Sequence, residues 1–222
     1  MLKKAALVVA ALFLFTSLAL SQNQGHFDAS FNGALIFTQA GSANGIQQSA
    51  TIGANYFGTF RFRFKTKSKS SWVFNYGYAK NSQVYQSNFD YHQLDTIHEY
   101  TGAYVRNFHE TGKFQPFFLV GAGMLRFNPR STWAYFPDLP NNIPNRLQIN
   151  VNAQSQNEAT LLYGGGVDYK LPHNFAFRLQ YRGLYYNNPN FKVNNLNGSA
   201  ISFVAGNRAH MAEPSIGLVY RF

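Results

Sequence analysis

Ser215-Ile216-Gly217-Leu218-Val219-Tyr220-Arg221-Phe222 is the stretch from which the rest of the chain is read. Side chains alternate across a β-strand, so Ile216, Leu218, Tyr220 and Phe222 share one face. Ser215, Gly217, Val219 and Arg221 share the other. One face is apolar and the other small or polar, and the sequence stops on an aromatic residue. Termini of soluble domains are usually polar and frayed.

Upstream of this stretch, the same period-two alternation marks seven further strands. Phe27 to Thr38 sets Phe27, Ala29, Phe31, Gly33, Leu35 and Phe37 against Asp28, Ser30, Asn32 and Thr38. Ala50 to Phe64 ends in Phe60-Arg61-Phe62-Arg63-Phe64, with Thr51, Asn55 and Thr59 on the arginine side. Trp72, Phe74, Tyr76 and Tyr78 oppose Asn75, Gly77 and Ala79. In Leu94 to Phe108, Tyr100, Gly102 and Tyr104 oppose Glu99, Thr101, Ala103 and Asn107. Phe114 to Phe127 is apolar on both faces; Phe118, Val120, Ala122 and Met124 are placed outside. Glu158 to Leu171 sets Leu161, Tyr163, Val167 and Tyr169 against Thr160, Gly164, Gly166 and Asp168. Phe175 to Tyr186 sets Phe175, Phe177, Leu179, Tyr181 and Tyr185 against Arg178, Gln180 and Arg182, and His210 to Phe222 completes eight. Connections alternate long and short. Gln39–Ser49, Gln86–Gln93, Asn128–Asn157 and Asn187–Arg208 are polar loops; the basic turn Lys65–Ser70, His109–Lys113 and Pro172-His173-Asn174 are turns.

At the other end, Lys3 and Lys4 precede an apolar run from Ala5 to Leu20, and Ala19 and Ser21 supply small residues for cleavage. This predicts a cleaved signal peptide over 1–21 and one mature domain over 22–222. Cysteine is absent, so no disulfide or thiolate metal site is possible. No later segment is long and apolar enough for a membrane helix, so any membrane passage must be a closed barrel. Aromatic residues make up 17% and charged residues 13%, against about 25% charged in ordinary soluble domains. A surface facing hydrocarbon needs few charges, and barrels place aromatic girdles at both interfaces. The formal charge is +10, or +8 without Lys3 and Lys4. That balance favours anionic envelope partners such as lipopolysaccharide; secretion and aromatic strands argue against nucleic acid.

A polar residue, a glycine and two hydrophobic positions two apart, the last terminal, resemble the signal read by the outer-membrane assembly machinery of Gram-negative bacteria. Ser215, Gly217, Tyr220 and Phe222 carry that likeness. Eight strands, alternating connections, leader and terminal Phe together resemble the small eight-stranded outer-membrane barrels, of which the transmembrane domain of outer-membrane protein A is the type. The resemblance covers the mature chain as architecture and carries no subfamily motif. It implies an all-β, eight-stranded antiparallel up-and-down transmembrane barrel in the outer membrane, with both termini in the periplasm and four loops outside. With Phe222 as the last residue of the barrel's final strand, no peptidoglycan-anchoring role is expected.

With the aromatic faces toward lipid, the other faces fill the barrel. Arg61, Arg63, Glu99, Glu158, Asp168, Arg178, Arg182 and Glu213 then form a lumen charge network, since a buried charge must be paired. Eight strands enclose only enough room for side chains, so the network reads as a packed core rather than a gate. An outer-membrane lipid-modifying enzyme is one alternative. It needs a nucleophile with a base in reach, and His26, His98, His109, His173 and His210 complete no such pair. The histidines and carboxylates are scattered, so no metal or cofactor site is expected. Gly164-Gly165-Gly166 lies mid-strand with no helix after it, which excludes a phosphate loop. The other alternative is a soluble lipocalin-like barrel with aromatic faces inward. Trp72 reads as a girdle residue, and Trp133, Tyr135 and Phe136 offer a surface for an extracellular ligand.

Overall fold

The computed structural model describes residues 27–39, 41–43, 46–63, 69–86, 90–109, 112–136, 147–150, 153–194, 200–203 and 208–222. The predicted leader, His26 and Phe64 lie outside them. Eight long strands form the wall: β1 Phe27–Thr38, β2 Thr51–Arg63, β3 Ser70–Gln86, β4 Asp90–Asn107, β5 Phe114–Phe136, β6 Gln156–Lys170, β7 Phe175–Asn187 and β8 Arg208–Arg221. Each pairs antiparallel with its sequence neighbours. β1 also pairs antiparallel with β8, from Asp28↔Arg221 to Thr38↔Met211, and this ladder closes the sheet into a barrel. Closure removes both sheet edges, so backbone groups on the eight strands find partners within the wall.

Sequence chemistry sets the turns at the narrow-connection rim. Between β6 and β7, His173 and Asn174 both take positive φ, 59° and 65°. Such a pair forms a tight hairpin turn whose twist matches the strands it joins. Pro172 precedes it, and Leu171 N–H donates to the Phe175 carbonyl at 2.8 Å. Gly112, with φ 112°, serves the turn between β4 and β5.

Strand parity follows the alternation. Phe31, Tyr56, Trp72, Phe74, Tyr100, Phe118, Val120, Leu161, Leu179 and Leu218 point outward and are exposed. Asp28, Arg61, Glu99, Asp168, Arg178, Arg182 and Glu213 point inward and are buried. Phe118, Val120, Ala122 and Met124 of β5 are all on the outside. This polarity is the reverse of what a lipocalin-like cavity requires.

Three strand boundaries depart from the sequence reading, all at the broad-connection rim. β3 runs to Gln86 and β4 begins at Asp90, not Leu94. β5 continues to Phe136 and pairs with a short strand, Leu147–Asn150, inside what reads as one long loop. Gly41–Ala43 pairs with Ile46–Gln48, and Phe191–Asn194 with Ala200–Phe203, within the other two predicted loops. Beyond the apolar belt no face need be hydrophobic, so these extensions lack the period-two signal.

Candidate functional site

The barrel interior is the one place where charge is concentrated away from solvent, and it is layered. Nearest the narrow-connection rim sit Asp28 of β1, Arg61 and Arg63 of β2, Asp168 of β6, Arg178 of β7 and Arg221 of β8. Arg178 grips Asp168 as a fork: Nε donates to Oδ1 at 2.7 Å and Nη2 to Oδ2 at 2.9 Å. Arg63 Nη2 donates to Asp28 Oδ2 at 2.5 Å, and Arg61 Nε lies 3.5 Å from Asp28 Oδ1. Arg61 Nη1 and Arg221 Nη2 reach Asp168 Oδ2 at 3.8 and 3.4 Å. The Phe117 ring faces both Arg61 and Arg178, with guanidinium carbons 5.2 and 5.1 Å from its centroid. Bidentate geometry and an aromatic face are what a guanidinium needs when it leaves water.

The second layer centres on Arg182 of β7, which is 0% exposed. Its Nη1 and Nη2 donate to the two carboxylate oxygens of Glu99 at 3.0 and 2.8 Å, and Nη2 also donates to Glu213 Oε2. Asn55 Nδ2 donates to Glu213 Oε1 at 2.8 Å, and Thr101 Oγ1 donates to Glu99 Oε1 at 2.7 Å. The Arg182 guanidinium stacks on Phe57, 3.6 Å from the ring centroid. Beside these layers lies an apolar mass that includes Ile97, Leu119, Leu125, Leu162, Leu184 and Met211.

At the broad-connection mouth a polar chain runs along the inner face of β4, and a separate bond joins β7's exit to the first loop. Tyr91 Oη donates to Gln93 Oε1 at 2.8 Å, and Gln93 Nε2 donates to Asp95 Oδ1 at 2.6 Å. Asn188 Nδ2 donates to Gln48 Oε1 at 3.3 Å, linking β7's exit to the first loop. Phe191 is fully buried against Phe127 and covers the interior there. Asp95 lies at the level where outward residues on β3 change from Tyr78 to Lys80, beyond the apolar belt. Burial pushes its carboxyl up to about 7, while the Gln93 hydrogen bond pulls it down.

Of the eight residues expected in the lumen network, Arg61, Arg63, Asp168 and Arg178 meet in the first layer, and Glu99, Arg182 and Glu213 in the second. Glu158 joins neither: it sits opposite Leu125 near the mouth, partly exposed, and makes no ion pair among the described residues. Asp28 and Arg221 complete the first layer. Their inward parity shows in the sequence, but their partners come from strands far away in the chain. Phe117 and Phe57 carry no sequence signal, because an inward aromatic is invisible in a mostly apolar strand. Of the predicted assembly residues, Ser215 Oγ donates to the Gln180 carbonyl at 3.1 Å. Tyr220 packs on Phe175 and Phe222.

On the outer wall, Tyr76 Oη and His98 Nδ1 lie 3.0 Å apart, and Tyr163 Oη and His210 Nε2 2.7 Å apart. Trp133 stacks on His92. Among the described residues there is no cluster of His and carboxylate groups fit to hold a metal.

A closed eight-stranded wall, aromatic outside and ionic inside, defines an integral β-barrel of a membrane. The chain belongs to the outer membrane protein beta-barrel domain family, whose model matches residues 7–208. It is therefore an outer-membrane protein, and its exposed aromatic faces meet lipid. No curated protein matches the sequence. Among solved structures it is similar to Neisserial surface protein A, at 15% identity and TM-score 0.46, covering 90% of this chain and 100% of that one. The attachment invasion locus protein Ail of Yersinia pestis matches at 15% identity and TM-score 0.42, again over 90% and 100%. OprG of Pseudomonas aeruginosa matches at 14% and 0.49, over 90% and 97%.

Proposed function

We propose that the protein is a sealed, non-catalytic wall element of the outer membrane that presents the broad-connection rim to the exterior. The observation that carries this is Arg182. A guanidinium with no exposed surface, held by two carboxylates from β4 and β8 and stacked on Phe57, is a packed group rather than a hydrated pore lining. The first ionic layer repeats the arrangement below. A conducting pore needs mobile, hydrated side chains along its axis, whereas these are paired and packed.

The narrow-connection rim and both strand ends Phe27 and Arg221 then face the periplasm, and the broad connections face outward. Lipopolysaccharide and other outer-membrane lipids contact the wall. The outer-membrane assembly machinery reads Ser215, Gly217, Tyr220 and Phe222, and an extracellular ligand would meet the loop rim. No observation favours a reaction: the Tyr–His pairs on the wall have no third group to orient the imidazole.

The test is electrical. Purified protein inserted in planar bilayers is expected to show no sustained openings between pH 5 and 8. Stable unit conductances in that range, absent from protein-free controls, would overturn the sealed-lumen reading.

A further inference from the structure

The outer wall carries a recess that the lumen reading does not use. Where β2 meets β3, regular pairing runs to Ala54↔Lys80 and resumes only at Gln48↔Tyr85. Across β4, the register slips between Leu94 and Asp95, so that Leu94 faces Ser131, Asp95 faces Pro129, and Arg130 is the unpaired residue of a bulge. The broken ladder and the bulge together open a cavity of about 530 Å³ in the wall.

Its lining is specific in charge. Lys80 and Arg130 border it; both are exposed, and neither makes an ion pair among the described residues. Asn81 belongs to the floor, its buried side chain turned to the lumen side, where its Oδ1 accepts from Thr51 Oγ1 at 3.0 Å. Ser82 adds a hydroxyl. Ile52 and Leu94 are apolar and exposed at 70% and 41%. The recess sits where outward residues change from Tyr76 and Tyr78 to Lys80 on β3, and from Met124 to Arg126 on β5. That is the boundary between acyl chains and head groups.

We infer that this recess binds the phosphorylated head group of an outer-leaflet glycolipid, with Lys80, Arg130 and the Ser82 hydroxyl on the phosphate and Ile52 and Leu94 against the apolar part of the lipid next to it. Two cations and a hydroxyl donor suit a phosphate. The flanking apolar side chains suit a lipid rather than a free ion. The inference rests on the outer-membrane placement with the broad-connection rim outward.

The test uses the full chain purified in detergent and native mass spectrometry. Bis-phosphorylated lipid A is compared with the same lipid stripped of phosphate, for wild type, K80Q/R130Q, and K113Q as a control cation at the opposite rim. Folding of every variant is checked by its shift on boiling. Wild type and K113Q are expected to retain the phosphorylated lipid at least about tenfold more strongly than the stripped one, and the double variant to lose that preference. Should the double variant fail to fold, the two lipids on wild type still decide. Equal retention of the two lipids, or an unchanged preference in the double variant, would overturn the proposal. So would complete displacement of lipid A by millimolar inorganic phosphate, which would mark a free-phosphate site. None of these results depends on whether the lumen conducts.

Discussion

At the scale of single residues, Arg182 and Asp95 show two ways in which a buried charge is managed. Arg182 is held through Nη1 and Nη2 by two carboxylates and lies on an aromatic face, while its buried Nε has no partner among the described residues, so removing it strands Glu99 and Glu213 together. Breaking a buried ion pair by deleting one partner costs roughly 3–5 kcal/mol. Arg182→Met is therefore expected to lower the unfolding free energy of the detergent-folded barrel, read from urea titration, by that order. Adding Glu99→Gln and Glu213→Gln to it is expected to restore most of the loss, because the uncompensated charge goes with them. Asp95 is the opposite case: its carboxyl is buried with one neutral donor and no cation within bonding distance. Its folded value, about 7, lies above the ordinary 3.8. The folded state thus holds the proton more tightly than the unfolded one. Stability from this group is full below the ordinary value and is lost as pH rises through about 7, with a slope of at most about 1.4 kcal/mol per pH unit. The drop in unfolding midpoint from pH 5 to pH 8 should be smaller in Asp95→Asn than in wild type. Equal drops would show that Asp95 ionises freely in the fold.

At the scale of elements, strand direction was legible wherever lipid forces one face to be apolar. Phe60-Arg61-Phe62-Arg63 and Phe177-Arg178-Leu179-Gln180 can be read by eye. β5, apolar on both faces, gave no such contrast, although Phe118, Val120, Ala122 and Met124 do face outward. Strand length was not legible. Gln83, Tyr85, Tyr91 and Gln93 continue β3 and β4 with polar groups inward, while the outward side mixes Ser82 and His92 with Val84 and Leu94, so their alternation has little contrast. The lumen network was legible residue by residue through parity, yet its pairing was not. Register decides that Arg182 meets both Glu99 and Glu213 while Glu158, on the correct face, meets no partner. β8 shows how closely packed two elements can be. A Cβ on Gly217 would lie 2.1 Å from Asn32 Oδ1 and 2.6 Å from the Phe31 carbonyl oxygen. The first atom is on a side chain that can turn; the second is backbone and cannot. Gly217→Val should therefore destabilise the β1–β8 seam by about 1–3 kcal/mol. A second change, Asn32→Ala, should recover only part of it. Full recovery would mean that the side chain alone sets the limit.

At the scale of the whole molecule, closure links the two ends of the chain. β8 bonds to β7 on one side and β1 on the other, so the last strand completes a ladder whose partners lie nearly the full sequence apart. Until it docks, two strand edges stay open, and in lipid each unpaired backbone group costs several kcal/mol. The end of β8 thus seals the barrel, and the proposed assembly signal gives it a second, separable task, being recognised before the barrel is sealed. Phe222 allows the two to be told apart. Its N–H donates to the Phe27 carbonyl at 3.0 Å, a backbone bond that any residue keeps. Its ring adds an edge contact with Tyr220, at 4.9 Å between centroids. Such a pair contributes about 1 kcal/mol. Phe222→Ala should consequently refold in detergent to a heat-modifiable barrel within about 1 kcal/mol of wild type. In cells, the same variant should reach the outer membrane in much lower yield, because on the proposed reading the aromatic end is what the assembly machinery recognises. Parallel losses in refolding and in cellular yield would make Phe222 a structural residue. Equal yields in outer membranes would remove it from the assembly signal.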